Sequence, residues 1–194
     1  MFNLNLPNFL TLVRIMLVPV VVAALLERTP DGDLLAAGVF AIASVTDLLD
    51  GYLARSRDRV TSFGKLMDPV ADKLLVVAAL LALVSLHRLE PWVAMVIIAR
   101  EFAVTVTRLA VLQTGVVMAA NRWGKAKTVM QVATVFLLIA VTGRPVWLDV
   151  LVDLTVVVTV LSGVDYFFGL RRRLTEAQAR ARQAAESATR AGAL

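Results

Sequence analysis

Four aspartates stand close together in a chain that otherwise carries little charge at such positions. In the stretch DLLDGYLARSRDRVTSFGKLMDPVAD, Asp47 and Asp50 are three positions apart and Asp68 and Asp72 four. On a helix, either spacing puts both carboxylates on one face. Gly51 and Ala54 lie on or beside the first face, where small side chains let a ligand come near the backbone. Four unneutralised carboxylates repel one another strongly in a low dielectric. They must be protonated, paired with cations, or bound to metal. Oxygen ligands without His or Cys select Mg²⁺, with Mn²⁺ as the alternative. Two such ions can clamp the attacking and leaving oxygens of a phosphoryl transfer. The competing arrangement is a salt-bridge lattice with Arg55, Arg57, Arg59 and Lys65. Four aspartates at this spacing, with glycine and alanine between them, favour metal.

The elements that must position these groups are apolar. The chain has 194 residues, 59% of them hydrophobic, and a mean hydropathy of +0.77. Six apolar segments stand out, at about 8–27, 34–55, 69–87, 91–113, 126–142 and 147–170. Each is near the length that crosses about 30 Å of hydrocarbon as a helix. Backbone groups find no water partner in lipid, so runs of this kind become helices. The expected fold is therefore all-α: a polytopic integral membrane protein built as a bundle of six transmembrane helices. Residues 1–173 form the membrane domain, and 174–194 a charged, Ala-rich tail of helix-favouring composition. The net charge of +5 and pI near 10.2 would suit nucleic acid. However, the Lys and Arg residues flank apolar runs, as in cytoplasmic loops, so no nucleic acid is expected. The absence of cysteine excludes disulfides, thiol nucleophiles and Cys-ligated metals. The N-terminus lacks the basic start and small-residue site of a cleaved signal.

Loop charges set the expected orientation. Arg57, Arg59 and Lys65 fall in the second connection, Arg122, Lys125 and Lys127 in the fourth, and Arg171, Arg172 and Arg173 open the tail. The odd connections carry one basic residue each, Arg28, Arg88 and Arg144. The positive-inside rule puts the even connections and both termini in the cytoplasm. All four aspartates then meet in one layer near the cytoplasmic face of the inner membrane. Arg14 is costly in a span and either reaches this layer or snorkels to the headgroups. His87, in an outer connection, is expected at the interface, and Trp92, Trp123 and Trp147 in aromatic belts. Pro19 is expected to bend the first helix, and Asp165 and Tyr166 to pair structurally near Arg171–Arg173.

Written out, the aspartate stretch reads D-x2-D-G-x2-A-R-x8-G-x3-D-x3-D, through Asp47, Asp50, Gly51, Ala54, Arg55, Gly64, Asp68 and Asp72. It resembles the signature of the CDP-alcohol phosphotransferase family at every fixed position. NLPNFLTLVRIMLVP resembles the family's N-terminal segment. AREFAVTVTR, GKAKTVMQ and DYFFGLRRR resemble its bacterial branch that uses sn-glycerol 3-phosphate as acceptor. The resemblance implies six membrane helices, a homodimer, and a site open to the cytoplasm and to membrane lipids. It implies that Asp47, Asp50, Asp68 and Asp72 hold two divalent ions, with Asp72 also the base for the acceptor hydroxyl. It places Asn8, Thr11, Gly51, Ala54, Arg55 and Thr61 at the CDP moiety. The implied reaction transfers the phosphatidyl group from CDP-diacylglycerol to glycerol 3-phosphate and releases CMP.

An acceptor phosphate needs cations. Arg108, Lys125 and Lys127 are the candidates, with Arg100 deeper. Glu101, Thr105 and Arg108 share a helical face, so Glu101 is expected to orient Arg108. Two alternatives remain: the same chemistry on another acceptor, such as inositol phosphate, and a divalent-cation transporter whose carboxylates line a permeation path. The second requires acidic groups at depth on both sides, whereas these lie in one layer.

Overall fold

Helix signals in the sequence coincide with helix starts. Thr29 precedes Pro30, and its hydroxyl accepts the backbone N–H of Gly32 at 3.0 Å, capping the helix Pro30–Leu53. Asp31 and Asp33 follow in the first turn, where the helix dipole favours negative charge. Pro91 likewise opens Pro91–Leu112. The computed structural model describes the backbone of residues 6–27, 29–53, 62–112 and 122–191. It describes side chains within 12–27, 29, 31–46, 73–111, 124–173 and 175.

Among the described residues the chain is all helical: α1 (Leu6–Leu26), α2 (Pro30–Leu53), α3 (Ser62–Ser85), α4 (Pro91–Leu112), α5 (Arg122–Ala140) and α6 (Val146–Ala191). These match the six apolar segments, except that three helices start ahead of their apolar runs and the last extends beyond its own. α2 starts at Pro30 and α3 at Ser62, four and seven residues early. Arg122, Lys125 and Lys127 stand in the first turns of α5, so the helix starts before the apolar run does. α6 continues unbroken from its apolar part through the Ala-rich tail, 46 residues in all, because no proline stands between Phe167 and Ala191 and the single Gly169 does not stop the helix. Among the described residues one helix segment, Val146–Arg173, is long and apolar enough to cross a membrane, with a mean hydropathy of 1.9. Shorter apolar helical stretches are Leu12–Leu26 and Lys73–Ser85.

α1 packs on α2 and α3, α4 on α3 and α6, and α5 on α2, α3 and α6. The seams are lined by small residues, including Ala24, Ala36, Ala37, Ala43, Ala79 and Ala82, which let helix backbones approach closely. At the α1–α2 turn a Cβ on Gly32 would lie 2.6 Å from the carbonyl of Ala24, so only glycine fits. Large apolar side chains face outward along the helices, among them Met16, Leu34, Ile42, Met95, Val106 and Phe168. Threonine and serine are buried: Thr134 and Thr155 meet across α5 and α6 with their hydroxyl oxygens 2.7 Å apart. An apolar exterior over hydroxyl-lined helix seams is the distribution that lipid favours.

Ion pairs hold one end of the bundle together. Arg88 donates to Asp33 at 2.6 Å and to the carbonyl of Ile139 at 3.4 Å, joining α2, the α3–α4 connection and α5. Arg144 bridges Asp149 and Glu90, and its hydrogen bond to Asp149 holds the guanidinium pKa above its ordinary value. Trp92 and Trp147 are half-exposed at the same end, as a belt requires.

His87 has a more specific role than an interfacial residue. It sits in the left-handed region (φ 57°) just past α3. The N–H of Arg88 returns to the carbonyl of Leu83 and that of His87 to Val84, which is a Schellman cap. A non-glycine residue in this conformation costs about 1 kcal/mol or more. His87→Gly should therefore raise stability by roughly 1 kcal/mol, measured as a higher midpoint of thermal unfolding in detergent. No change would mean that the imidazole makes compensating contacts.

Candidate functional site

At mid-depth the helices enclose a cavity of about 470 Å³. Arg14 of α1, Ser44 of α2, Lys73 of α3, Glu101 of α4 and Gln131 of α5 contribute its polar groups. Its remaining wall is apolar, from residues such as Leu80, Ile97 and Phe136. Arg14 is buried against this cavity, which decides between its two expected placements.

Charge is concentrated at one carboxylate. Glu101, 7% exposed, lies 3.0 Å from Lys73 Nζ through Oε2. Its Oε1 pairs with Lys127, which is 1% exposed, and lies 3.9 Å from Arg100 Nη1. Buried charges persist where they are paired. Lys73, Lys127 and Arg100 thus converge on Glu101 beside the cavity, and converging cations are what an anion site needs.

The expectation that Glu101 orients Arg108 is overturned. Arg108 instead places its guanidinium 6.0 Å from the centroid of the Tyr166 ring, a cation–π contact between α4 and α6. Tyr166 in turn meets Phe167 edge-on, with ring centroids 5.8 Å apart. Glu101 faces α3 and α5, and the lysines there outcompete an arginine two turns along its own helix. Arg100 donates to Ser162 Oγ at 3.0 Å, with its stem against Gly163, and so ties α4 to α6. Lys125 is exposed. Of the four acceptor candidates, the fold brings Lys127 and Arg100 to the Glu101 cluster and leaves Arg108 and Lys125 outside it.

Sequence reasoning missed Lys73, Ser44 and Gln131 as cavity residues. The cues were present. Lys73 directly follows Asp72, and Gln131 is one helical turn from Lys127.

The aspartates themselves are placed by backbone alone. Asp47 and Asp50 stand in the last two turns of α2, and Asp68 and Asp72 in the first three of α3. Asp47 is one turn beyond Ser44, and Asp72 adjoins Lys73, so the aspartate-bearing turns follow directly on from cavity-lining residues. Asn8 and Thr11 are in α1 and Gly51 in α2. The side chains of Asn8, Thr11, Asp47, Asp50, Asp68 and Asp72 lie outside the described residues, as do Ala54, Arg55 and Thr61 entirely. The donor set, four carboxylates with no nitrogen or sulfur ligand, fits a hard divalent cation.

The motif and this architecture agree with what comparison with known proteins finds. Residues 4–163 match the family model described as CDP-alcohol phosphatidyltransferase, a family that is in general dependent on divalent metal. A Bacillus subtilis (strain 168) protein named CDP-diacylglycerol–glycerol-3-phosphate 3-phosphatidyltransferase is 44% identical over 181 residues, covering 84% of this chain and 93% of the relative. Proteins of the same name from Rickettsia felis and Haemophilus influenzae are 35% and 41% identical. The first covers 84% of this chain and 93% of the relative, the second 66% and 71%. With the signature complete and the match running through five helices into the sixth, the chain belongs to the CDP-alcohol phosphatidyltransferase family and is a membrane-type transferase enzyme.

Proposed function

We propose that this protein transfers the phosphatidyl group of CDP-diacylglycerol to sn-glycerol 3-phosphate, giving phosphatidylglycerophosphate and CMP. The observation that carries the choice of acceptor is the cationic cluster of buried Lys127 with partly buried Lys73 and Arg100 around Glu101, beside a cavity next to the aspartate-bearing turns. A phosphorylated acceptor repays the desolvation of those cations; a neutral alcohol does not. The relatives named above carry glycerol 3-phosphate in their names, which supports it over inositol phosphate.

Asp47, Asp50, Asp68 and Asp72 would hold two Mg²⁺ ions, or Mn²⁺ in their place. Such ions, when bound, neutralise the pyrophosphate of the donor. Arg55 adds a bidentate contact to the same phosphates. Gly51 and Ala54 let the nucleotide approach the helix, and Asn8, Thr11 and Thr61 close over the CDP moiety. Asp72 takes the proton of the acceptor hydroxyl as its oxygen attacks the lipid-bearing phosphorus. The bond from that phosphorus to CMP breaks in the same in-line displacement. Positioning and electrostatics suffice for such a transfer, so no covalent enzyme intermediate forms. Lys127 and Lys73, with Arg100 behind them, hold the acceptor phosphate; Arg108 and Lys125 act at the cavity's approach. All six helices cross the bacterial inner membrane, with both termini and the site on the cytoplasmic side and a second copy completing a homodimer. The apolar exterior and loop charges support that placement. The tail beyond residue 173 extends α6 into the cytoplasm, where its arginines meet anionic headgroups.

The test uses purified protein, CDP-diacylglycerol and Mg²⁺, with glycerol 3-phosphate, inositol phosphate and free glycerol as acceptors, and measures CMP release. The expected result is release with glycerol 3-phosphate that stops on chelation with EDTA and returns with Mg²⁺. A faster reaction with inositol phosphate would reassign the acceptor. Metal flux into liposomes without CMP release would replace the enzyme with a transporter.

A further inference from the structure

Gln131 lines the cavity and takes no part in the Glu101 cluster. Gln131 is 4% exposed, and its Oε1 is buried with no hydrogen-bond partner among the described residues. A buried carbonyl oxygen left in this state is costly, so a donor must reach it. Lys127, one turn away on the same face, pairs with Glu101 and makes no hydrogen bond to this oxygen. The two hydroxyl protons of Thr134 and Thr155 are shared among the contact between them and the carbonyls of Met130 and Leu151. The small void that Gln131 shares with those threonines is about 10 Å³, at the lower limit for one water molecule. Gln131 also lines the large cavity, so a turn of its carboxamide presents it to a ligand held there.

We infer that Gln131 is a specificity-determining residue that hydrogen-bonds the hydroxyl of the acceptor that does not react. The inference rests on the proposed acceptor. Glycerol 3-phosphate carries two hydroxyls, of which one attacks phosphorus and the other stays protonated and must be desolvated with it. A hydroxyl both donates and accepts, and a carboxamide offers both functions, so the pair is satisfied whichever way the amide is turned. The position suits the role. Gln131 stands one helical turn, about 6 Å, beyond Lys127, so an acceptor with its phosphate at the lysines can extend along α5 to the carboxamide. A site that hydrogen-bonds a substrate hydroxyl rejects the analogue lacking it, because the buried partner is then left unpaired.

The experiment compares kcat/KM for glycerol 3-phosphate with that for 3-hydroxypropyl phosphate, which keeps the reacting hydroxyl and the phosphate and lacks the second hydroxyl. The wild-type protein should prefer glycerol 3-phosphate by about 10–100-fold, the range expected for one unmatched buried hydrogen-bonding group. Gln131→Met, of similar size, should bring the ratio to within about threefold of unity, mainly by slowing the glycerol 3-phosphate reaction. A purely structural role for Gln131 would lower both rates together and leave the ratio intact, and that result overturns the inference. So does a wild-type protein that uses both acceptors alike, a measurement that needs no variant. If Gln131→Met fails to accumulate, Gln131→Asn takes its place, and a ratio unchanged by the shorter side chain counts against the inference in the same way. Activity with glycerol 3-phosphate but no preference over the analogue sinks this inference alone. No activity with glycerol 3-phosphate sinks the proposed acceptor, and this inference with it.

Discussion

Asp72→Asn should reduce kcat by about 10²–10⁴-fold, the contribution usual for a positioned general base, while the protein still inserts and folds. Asparagine has nearly the size of aspartate and the same tolerance within a helix, and Asp72 lies within α3 by its backbone. The loss should therefore appear in turnover and not in the amount of protein recovered from the membrane or its helical circular dichroism. Asp47→Asn provides the contrast. A variant that has lost only a metal ligand should regain part of its rate as Mg²⁺ is raised, by mass action. A variant without its base should not, however high the metal. Full activity of Asp72→Asn would remove the proton-transfer assignment. Recovery of Asp72→Asn at high Mg²⁺ would reduce the residue to a metal ligand.

Glu101→Gln should be the most destabilising single change in the described part of the protein. The carboxylate is the common partner of Lys73, Lys127 and Arg100, and Lys127 is 1% exposed. Breaking a buried ion pair by removing one partner costs about 3–5 kcal/mol, because the other charge stays behind uncompensated. For a chain of this size that lowers the unfolding midpoint by roughly 10 °C, measurable in detergent. The second mutation decides the cause. Lys127→Met added to Glu101→Gln removes the stranded charge and should recover part of the loss, giving a coupling of at least about 1 kcal/mol in a double-mutant cycle. Additive effects would mean that the two side chains are near neighbours without energetic dependence. Glu101→Gln as stable as the wild-type protein would mean that the cluster is not held by charge at all.

Much of this protein is legible in its residues. Six apolar runs in a chain that is 59% hydrophobic allow few folds besides helices, because a backbone among apolar groups must satisfy its own hydrogen bonds. The helix starts were also written locally, in Thr29-Pro30 and in Pro91. The eight fixed positions from Asp47 to Asp72 pointed to the family, since i, i+3 and i, i+4 carboxylates with glycine and alanine between them serve a narrow range of chemistry.

Side-chain partnership was not legible, since helical spacing shows which residues share a face and not which neighbour that face meets. Glu101 and Arg108 share a face of α4, yet Glu101 turns to lysines on α3 and α5 while Arg108 lies over Tyr166 on α6. Arg14 had two equally good destinations by sequence, and the packing of α1 against both α2 and α3 took it into the cavity. Gln131 carried no signal beyond its spacing from Lys127, and its unpaired oxygen exists only because α5 packs against α2, α3 and α6 at once. The sequence by itself determined the helices, the acidic motif and the family, which depend on interactions along the chain. The tertiary structure alone decided which charges pair and which polar groups face the cavity, because those depend on the close packing of helices far apart in sequence.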